Sequence, residues 1–249
     1  MLQSPSLINS PERDTEIEKN VAAARQAIAD ACRAAGRSPS DVRLIGITKT
    51  FPAVDAASLV RLGVTDIGEN REQDAAPKAS ELAASQVEAE WHFVGQLQRN
   101  KANSVASFAH WVHSVDRVKL VNALSKAALS HGKELNVLLQ VNLDGQPGRG
   151  GVEISDLSTL AEAVAASDVL RLRGVMGVAP IDWQPAKAFD LVAQCSQTVQ
   201  TVERAATEIS AGMSGDYREA IASGATMIRL GAKLLGSRPV NTGGHPNQQ

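Results

Sequence analysis

The amino-acid sequence predicts an α/β protein, built as one (β/α)8 barrel with an extra helix ahead of its first strand. Two observations carry this. Eight short apolar runs alternate with seven helical stretches along 249 residues. Such alternation argues for parallel strands joined by helical crossovers. The length also suits a single eight-unit barrel around one sizeable core. An open doubly wound sheet is the competing architecture, but no Gly-x-Gly-x-x-Gly follows the first strand.

The leading helix is expected over 15–35. Ile17, Val21, Ala24, Ile28 and Cys32 fall on one face at helical spacing, and Gly36 supplies a stop. The first strand, 42–48, is short, aliphatic and β-branched, and Pro52 closes it. Further strands are expected at 64–67, 91–94, 111–114, 136–142, 172–176, 208–212 and 227–230. Helices are expected between them at 53–62, 70–84, 98–106, 117–131, 155–166, 184–206 and 216–223, with a short one at 232–235. No linker divides the chain. Residues 1–13 are expected to be a flexible N-terminus, 14–239 the barrel, and 240–249 a disordered tail.

A net charge of -2 gives no reason to expect a nucleic-acid or membrane partner. Cys32 and Cys195 lie far apart in no metal-binding spacing, so no metal is expected, and they suggest a reducing compartment. The first 13 residues are polar and contain proline, without an apolar signal core. A cytoplasmic protein is the expectation. Tyr217 is the only tyrosine, which narrows the acid–base groups available.

Lys49 stands at the carboxyl end of the first strand, where ligands bind in α/β proteins. A partly buried ammonium loses hydration, which favours the neutral amine, and a neutral amine can attack an aldehyde to form a Schiff base. A lysine that merely snorkels from a strand end is the competing reading. In barrels, phosphates often bind after strands seven and eight. After strand seven comes Met213-Ser214-Gly215-Asp216, where Ser214 and Gly215 can present a hydroxyl and backbone N–H groups ahead of a helix. Asp216 with Glu219 also makes a capping-box pattern that needs no ligand. After strand eight, Gly231 lets the backbone approach a ligand. Arg229 alternates with Ile228 and Leu230 and so points the opposite way, into the barrel, where it needs an acceptor. An ion pair with an acidic neighbour is the alternative. Asn70, after strand two, can face a ligand or, with Gln73, cap a helix. His92, inside strand three, reads as a satisfied core histidine. One lysine, two anion cradles and one arginine suit an aldehyde-bearing phosphate ester, and pyridoxal 5′-phosphate is such a molecule.

The segments Ile47-Thr48-Lys49-Thr50, Ile67-Gly68-Glu69-Asn70-Arg71 and Trp91 through Lys101 carry a family resemblance. So do Val112-His113-Ser114-Val115-Asp116, Met213-Ser214-Gly215-Asp216 and Ile228-Arg229-Leu230-Gly231-Ala232. Over roughly 15–239 the chain resembles the pyridoxal phosphate homeostasis proteins, which are similar to the barrel domain of alanine racemases. The resemblance implies a Schiff base between Lys49 and the cofactor. It implies a phosphate held by Ser214, Gly215, Gly231 and Ala232, with Arg229 at the pyridine nitrogen and Asn70 beside the ring. Two positions depart from the family: Ala232 stands where threonine is usual, and Gln96 where histidine or proline is common.

The implied function is reversible binding of pyridoxal 5′-phosphate in cellular vitamin B6 homeostasis, without strong catalysis. Delivery to dependent apoenzymes and a monomeric state are expected with it. Arginine can only donate, so a pyridine nitrogen facing Arg229 makes the cofactor a weaker electron sink than one paired with a carboxylate. A pyridoxal-phosphate-dependent amino-acid racemase is the alternative, and it needs a second base on the face opposite the lysine. Alanine racemases take that base, a tyrosine, from a further domain that is not expected here, and Tyr217 is poorly placed. A cofactor-free Schiff-base aldolase is a third reading, which leaves Arg229 without a purpose.

Overall fold

The computed structural model describes residues 7–146 and 148–237. Eight parallel strands close into a barrel in sequential order: β1 (Arg43–Ile47), β2 (Asp66–Glu69), β3 (Glu90–Phe93), β4 (Trp111–Val115), β5 (Leu135–Gln140), β6 (Leu170–Met176), β7 (Glu208–Ser210) and β8 (Met227–Leu230). Closure is made by β8 on β1, where Ile45 pairs with Arg229 and Gly46 with Leu230. The helices α2 (Ala53–Arg61), α3 (Glu72–Ala84), α4 (Ala102–Phe108), α5 (Val118–Ser130), α6 (Leu157–Ala165), α7 (Pro185–Val202) and α8 (Tyr217–Ala222) connect successive strands. The leading helix α1 (Pro11–Ala34) packs on α2, α8 and α9 (Ala232–Leu235), completing the ring beside β1 and β8.

The strands are largely buried on both faces, Arg173 of β6 being an exposed exception, which is why they read as near-continuous apolar runs. One face packs under the helices: Ile228 and Leu230 join Ile17, Val21 and Ile28 of α1 in one cluster. The other face fills the barrel with Ile45, Ile47, Trp111, Leu138, Met176 and Met227.

Several boundaries differ from expectation for local reasons. The helix α1 starts at Pro11 rather than 15, because Ser10 accepts from the Arg13 N–H and Pro11 occupies the first turn. Residues 11–13, expected to be flexible, are therefore helical. Arg13 is held by Asp55 and by the Leu235 carbonyl. Residues 1–6 and the expected tail at 240–249 lie outside the described residues. Val64 is not in β2, because its N–H bonds back to Leu59 O at 2.9 Å in the turn that ends α2. The stretch expected as a helix from 98 opens as a 3-10 turn, Arg99–Lys101. No helix among the described residues is long and apolar enough to cross a membrane.

Candidate functional site

The carboxyl-terminal mouth of the barrel contains a cavity of about 510 Å³. Lys49 and Asn70 line it from the first two strand-to-helix loops, and Ser214 and Gly215 from the seventh. Arg229, Gly231 and Ala232 line it from the end of β8 and the turn that follows. All seven residues singled out from the sequence thus share one cavity. Val94, Gly95 and Met176 form part of its wall and were not foreseen. Among the described residues lining it, only Lys49 and Arg229 carry ionisable side chains.

Lys49 is half-buried just past β1. Its approach is fixed from both sides. Thr48 N–H bonds to Gly68 O at 3.0 Å, and Phe51 N–H turns back to Thr48 O at 3.0 Å. Thr50 sits at φ 70°, a left-handed conformation that a β-branched residue adopts only under constraint. Beneath this turn lies a buried ion pair, Lys78 with Glu69. Lys78 Nζ also donates to Thr48 O at 2.8 Å, and Thr48 Oγ1 donates to Glu69 Oε1 at 2.7 Å. Sequence reasoning missed Lys78, which reads as an ordinary helix lysine in α3.

Arg229 points inward, as the alternation along β8 predicts. It is 5% exposed, and its donors go to Ser210 Oγ at 2.6 Å and Gly177 O at 3.2 Å. Both acceptors are neutral. Among the described residues Arg229 makes no ion pair, so the salt-bridge alternative is not realised. Burial, opposed by the Asp216 carboxylate, pushes the guanidinium down to about 10, and it stays charged at neutral pH. A buried cation without a carboxylate partner is costly unless a ligand supplies acceptor or anionic atoms.

The two capping alternatives also fail. The Asp216 carboxylate accepts from Met213 N–H at 2.6 Å, outside the helix, and α8 has no side-chain cap. The N-cap of α3 is Arg71, not Asn70, and it too lacks a side-chain cap. Around Gly215 a Cβ would meet nothing within 4 Å, so the missing side chain leaves open room at the loop. At Gly231 a Cβ would stand 3.2 Å from Ile47 O, tighter than ordinary contact. Gln96 lines a separate polar depression beside Asn70 and Lys101 rather than this cavity. Tyr217 is buried in the cluster that includes α1 and is not among the residues lining the cavity.

A parallel barrel with a lysine after its first strand, two glycine-bearing loops after its last strands and an arginine between them defines a class. The chain belongs to the alanine racemase N-terminal domain family, whose profile matches residues 14–239. Within that class it is 41% identical over 245 residues to the Pyridoxal phosphate homeostasis protein of Mycobacterium tuberculosis strain H37Rv, spanning 92% of this chain and 95% of that one. A crystal structure of an unknown protein from Bifidobacterium adolescentis superposes with a TM-score of 0.83 at 28% identity, covering 93% of this chain and 98% of that chain. PipY of Synechococcus elongatus, solved with PLP bound, superposes with a TM-score of 0.76 at 32% identity, covering 88% of this chain and all 100% of that chain.

Proposed function

We propose that the chain binds pyridoxal 5′-phosphate through Lys49 and takes part in its cellular homeostasis, without strong catalysis of its own. The observation that carries this reading is the meeting of Lys49, Arg229 and both glycine-bearing loops in one cavity. A homologue solved with PLP bound and relatives named for pyridoxal phosphate homeostasis support it.

The residues fit the group. Arg229 is a buried donor lacking a carboxylate, suited to a ring nitrogen that accepts. Ser214, Gly215, Gly231 and Ala232 would hold the phosphate by one hydroxyl and by backbone N–H groups. Asn70 would lie beside the ring. The bound group supplies an aldehyde carbon that the Lys49 amine can attack reversibly. The Thr48–Glu69–Lys78 cluster would hold the turn that carries Lys49, Arg229 would keep its proton, and Val94 and Met176 would flank the ring.

We read the chain as a binding protein because proton exchange on the opposite face would need a second base. None of the described lining residues supplies one, since Lys49 and Arg229 are the only ionisable groups there. A cytoplasmic monomer that passes the group to dependent apoenzymes completes the proposal.

Absorbance spectra of the purified chain with and without pyridoxal 5′-phosphate test it. A band above the free-cofactor spectrum is expected, removed by borohydride and absent in Lys49→Ala. A chain that gains no band contradicts the reading. Racemisation of single amino-acid enantiomers faster than about one turnover per second would make it an enzyme instead.

A further inference from the structure

A line of hydrogen bonds runs through the barrel from one mouth to the other. At the cavity end, Arg229 Nη1 donates to Ser210 Oγ at 2.6 Å. Ser210 Oγ lies 2.9 Å from His113 Nδ1, and His113 Nε2 lies 2.9 Å from His92 Nδ1. His92 Nε2 lies 3.0 Å from Asp66 Oδ1. Asp66 is the first residue of β2, at the amino-terminal mouth, where Arg43 pairs with it at 3.2 Å. Ser210, His113 and His92 are all 0% exposed, and His92 stacks on Trp111 with planes 8° apart. The line crosses four strands beyond β8 and reaches the cavity only through Arg229.

The chemistry of the end groups gives the line a direction. Arginine only donates, so Ser210 Oγ accepts from Arg229 and its own proton is available for His113 Nδ1. A neutral His113 then carries its proton on Nε2 and donates to His92 Nδ1. A neutral His92 carries its proton on Nε2 and donates to the Asp66 carboxylate. Every link has one donor and one acceptor. The reverse order would aim a bare His92 nitrogen at a carboxylate and leave the Ser210 proton without an acceptor. Burial holds both histidines below their ordinary range, and His92 and Arg43 hold the Asp66 carboxylate ionised although burial alone would favour its acid.

We propose that Ser210, His113 and His92 are positioning residues: a directed hydrogen-bond relay, anchored on Asp66, that fixes the Arg229 guanidinium for its contact with the cofactor ring nitrogen. This rests on the proposed binding of pyridoxal 5′-phosphate. The relay orients Arg229 without neutralising it, because both acceptors of the guanidinium are uncharged. It also requires Ser210 to be a hydroxyl, since no apolar residue can accept from Arg229 and donate to His113 together.

Two measurements test the proposal. In the cofactor-free wild-type chain, nitrogen-15 NMR of the imidazoles should show His113 and His92 neutral, both protonated on Nε2. A proton on Nδ1 of either ring, or a charged His113 at neutral pH, overturns the relay. Spectral titrations should then show Ser210→Ala weakening pyridoxal 5′-phosphate by ~10-fold, as loss of a hydrogen bond to a charged group does. Ser210→Thr should restore affinity. The analogue in which carbon replaces the ring nitrogen should bind wild type and Ser210→Ala alike. Equal weakening of both ligands, or no weakening of either, overturns the positioning role. A wild-type chain that takes up no cofactor overturns the functional reading and this role with it, while the imidazole shifts still decide the direction of the relay.

Discussion

Gly95 passes so close to Asn70 that a Cβ on Gly95 would stand 2.0 Å from the Asn70 carbonyl oxygen. The obstacle is backbone, which cannot swing aside as a side chain could. Both residues line the cavity, at the ends of neighbouring strands β2 and β3. Gly95→Ala is therefore expected to push the Asn70 loop outward, lowering stability by about 1–3 kcal/mol in denaturant unfolding, as overpacking does. It should also weaken pyridoxal 5′-phosphate in spectral titration. Unchanged affinity would separate the Asn70 loop from the site.

How much of this was legible in the sequence depends on whether a feature is local. The eight strands show as apolar runs because a parallel barrel buries both strand faces. Val64 misled because it is buried like a strand residue while its N–H closes the turn after α2. The seven cavity residues were legible because all lie near the carboxyl ends of strands or in the loops that follow them, where barrel sites form. The capping patterns at Asn70 and Asp216 were locally sound and tertiary structure overrode both. Lys78 was invisible because its partners Glu69 and Thr48 belong to β2 and to the turn after β1, and helical spacing says nothing of them. The His92–His113–Ser210 line was invisible because it joins side chains of different strands, His113 and Ser210 across the closed barrel.

The buried pair Lys78–Glu69 supports the turn that carries Lys49. Glu69 is 0% exposed, and Lys78→Met would leave its charge uncompensated. That change is expected to cost about 3 kcal/mol of stability. The double variant Lys78→Met/Glu69→Gln should recover much of the loss, because it removes the orphaned charge as well. Denaturant midpoints of the single and double variants measure this. A double variant no more stable than Lys78→Met would mean that the pair acts chiefly through Thr48.

Acid should destabilise the chain from about pH 6.5 downward, where unfolded histidine begins to protonate. Burial holds His113 well below that range, with His92, Arg229 and Arg43 adding to the effect. Burial also lowers His92, along with Arg43, against the opposing pull of Asp66 and Glu90. His110, exposed at the surface, shifts the same way through partial desolvation and Lys133, opposed by Glu90. The unfolded chain therefore binds more protons than the folded one, and stability falls as pH falls from the unfolded value toward the folded ones. Each such histidine contributes a slope of up to ~1.4 kcal/mol per pH unit. Unfolding free energies measured between pH 7 and 5 should show it, and His113→Asn should flatten the curve by about one histidine's share.

Ala232 offers a gain of function rather than a loss. It is exposed, it opens α9 beside Gly231, and that turn has no side-chain cap. A threonine there adds a second hydroxyl donor to the one from Ser214, on the side of the proposed phosphate contact where Gly231 and Ala232 offer backbone N–H groups alone. Its methyl and hydroxyl should meet little resistance at an exposed first-turn position, so stability should change by less than about 0.5 kcal/mol. A hydrogen bond to a charged group such as phosphate is worth about 1.5 kcal/mol or more, so Ala232→Thr should tighten pyridoxal 5′-phosphate by roughly tenfold. Pyridoxal, which has the same aldehyde and ring but no phosphate, supplies the control. Its affinity should not change, because the added hydroxyl has nothing to hold. Equal tightening of both ligands would show that position 232 acts on the ring or on Lys49, and the phosphate would then have to be placed elsewhere in the cavity.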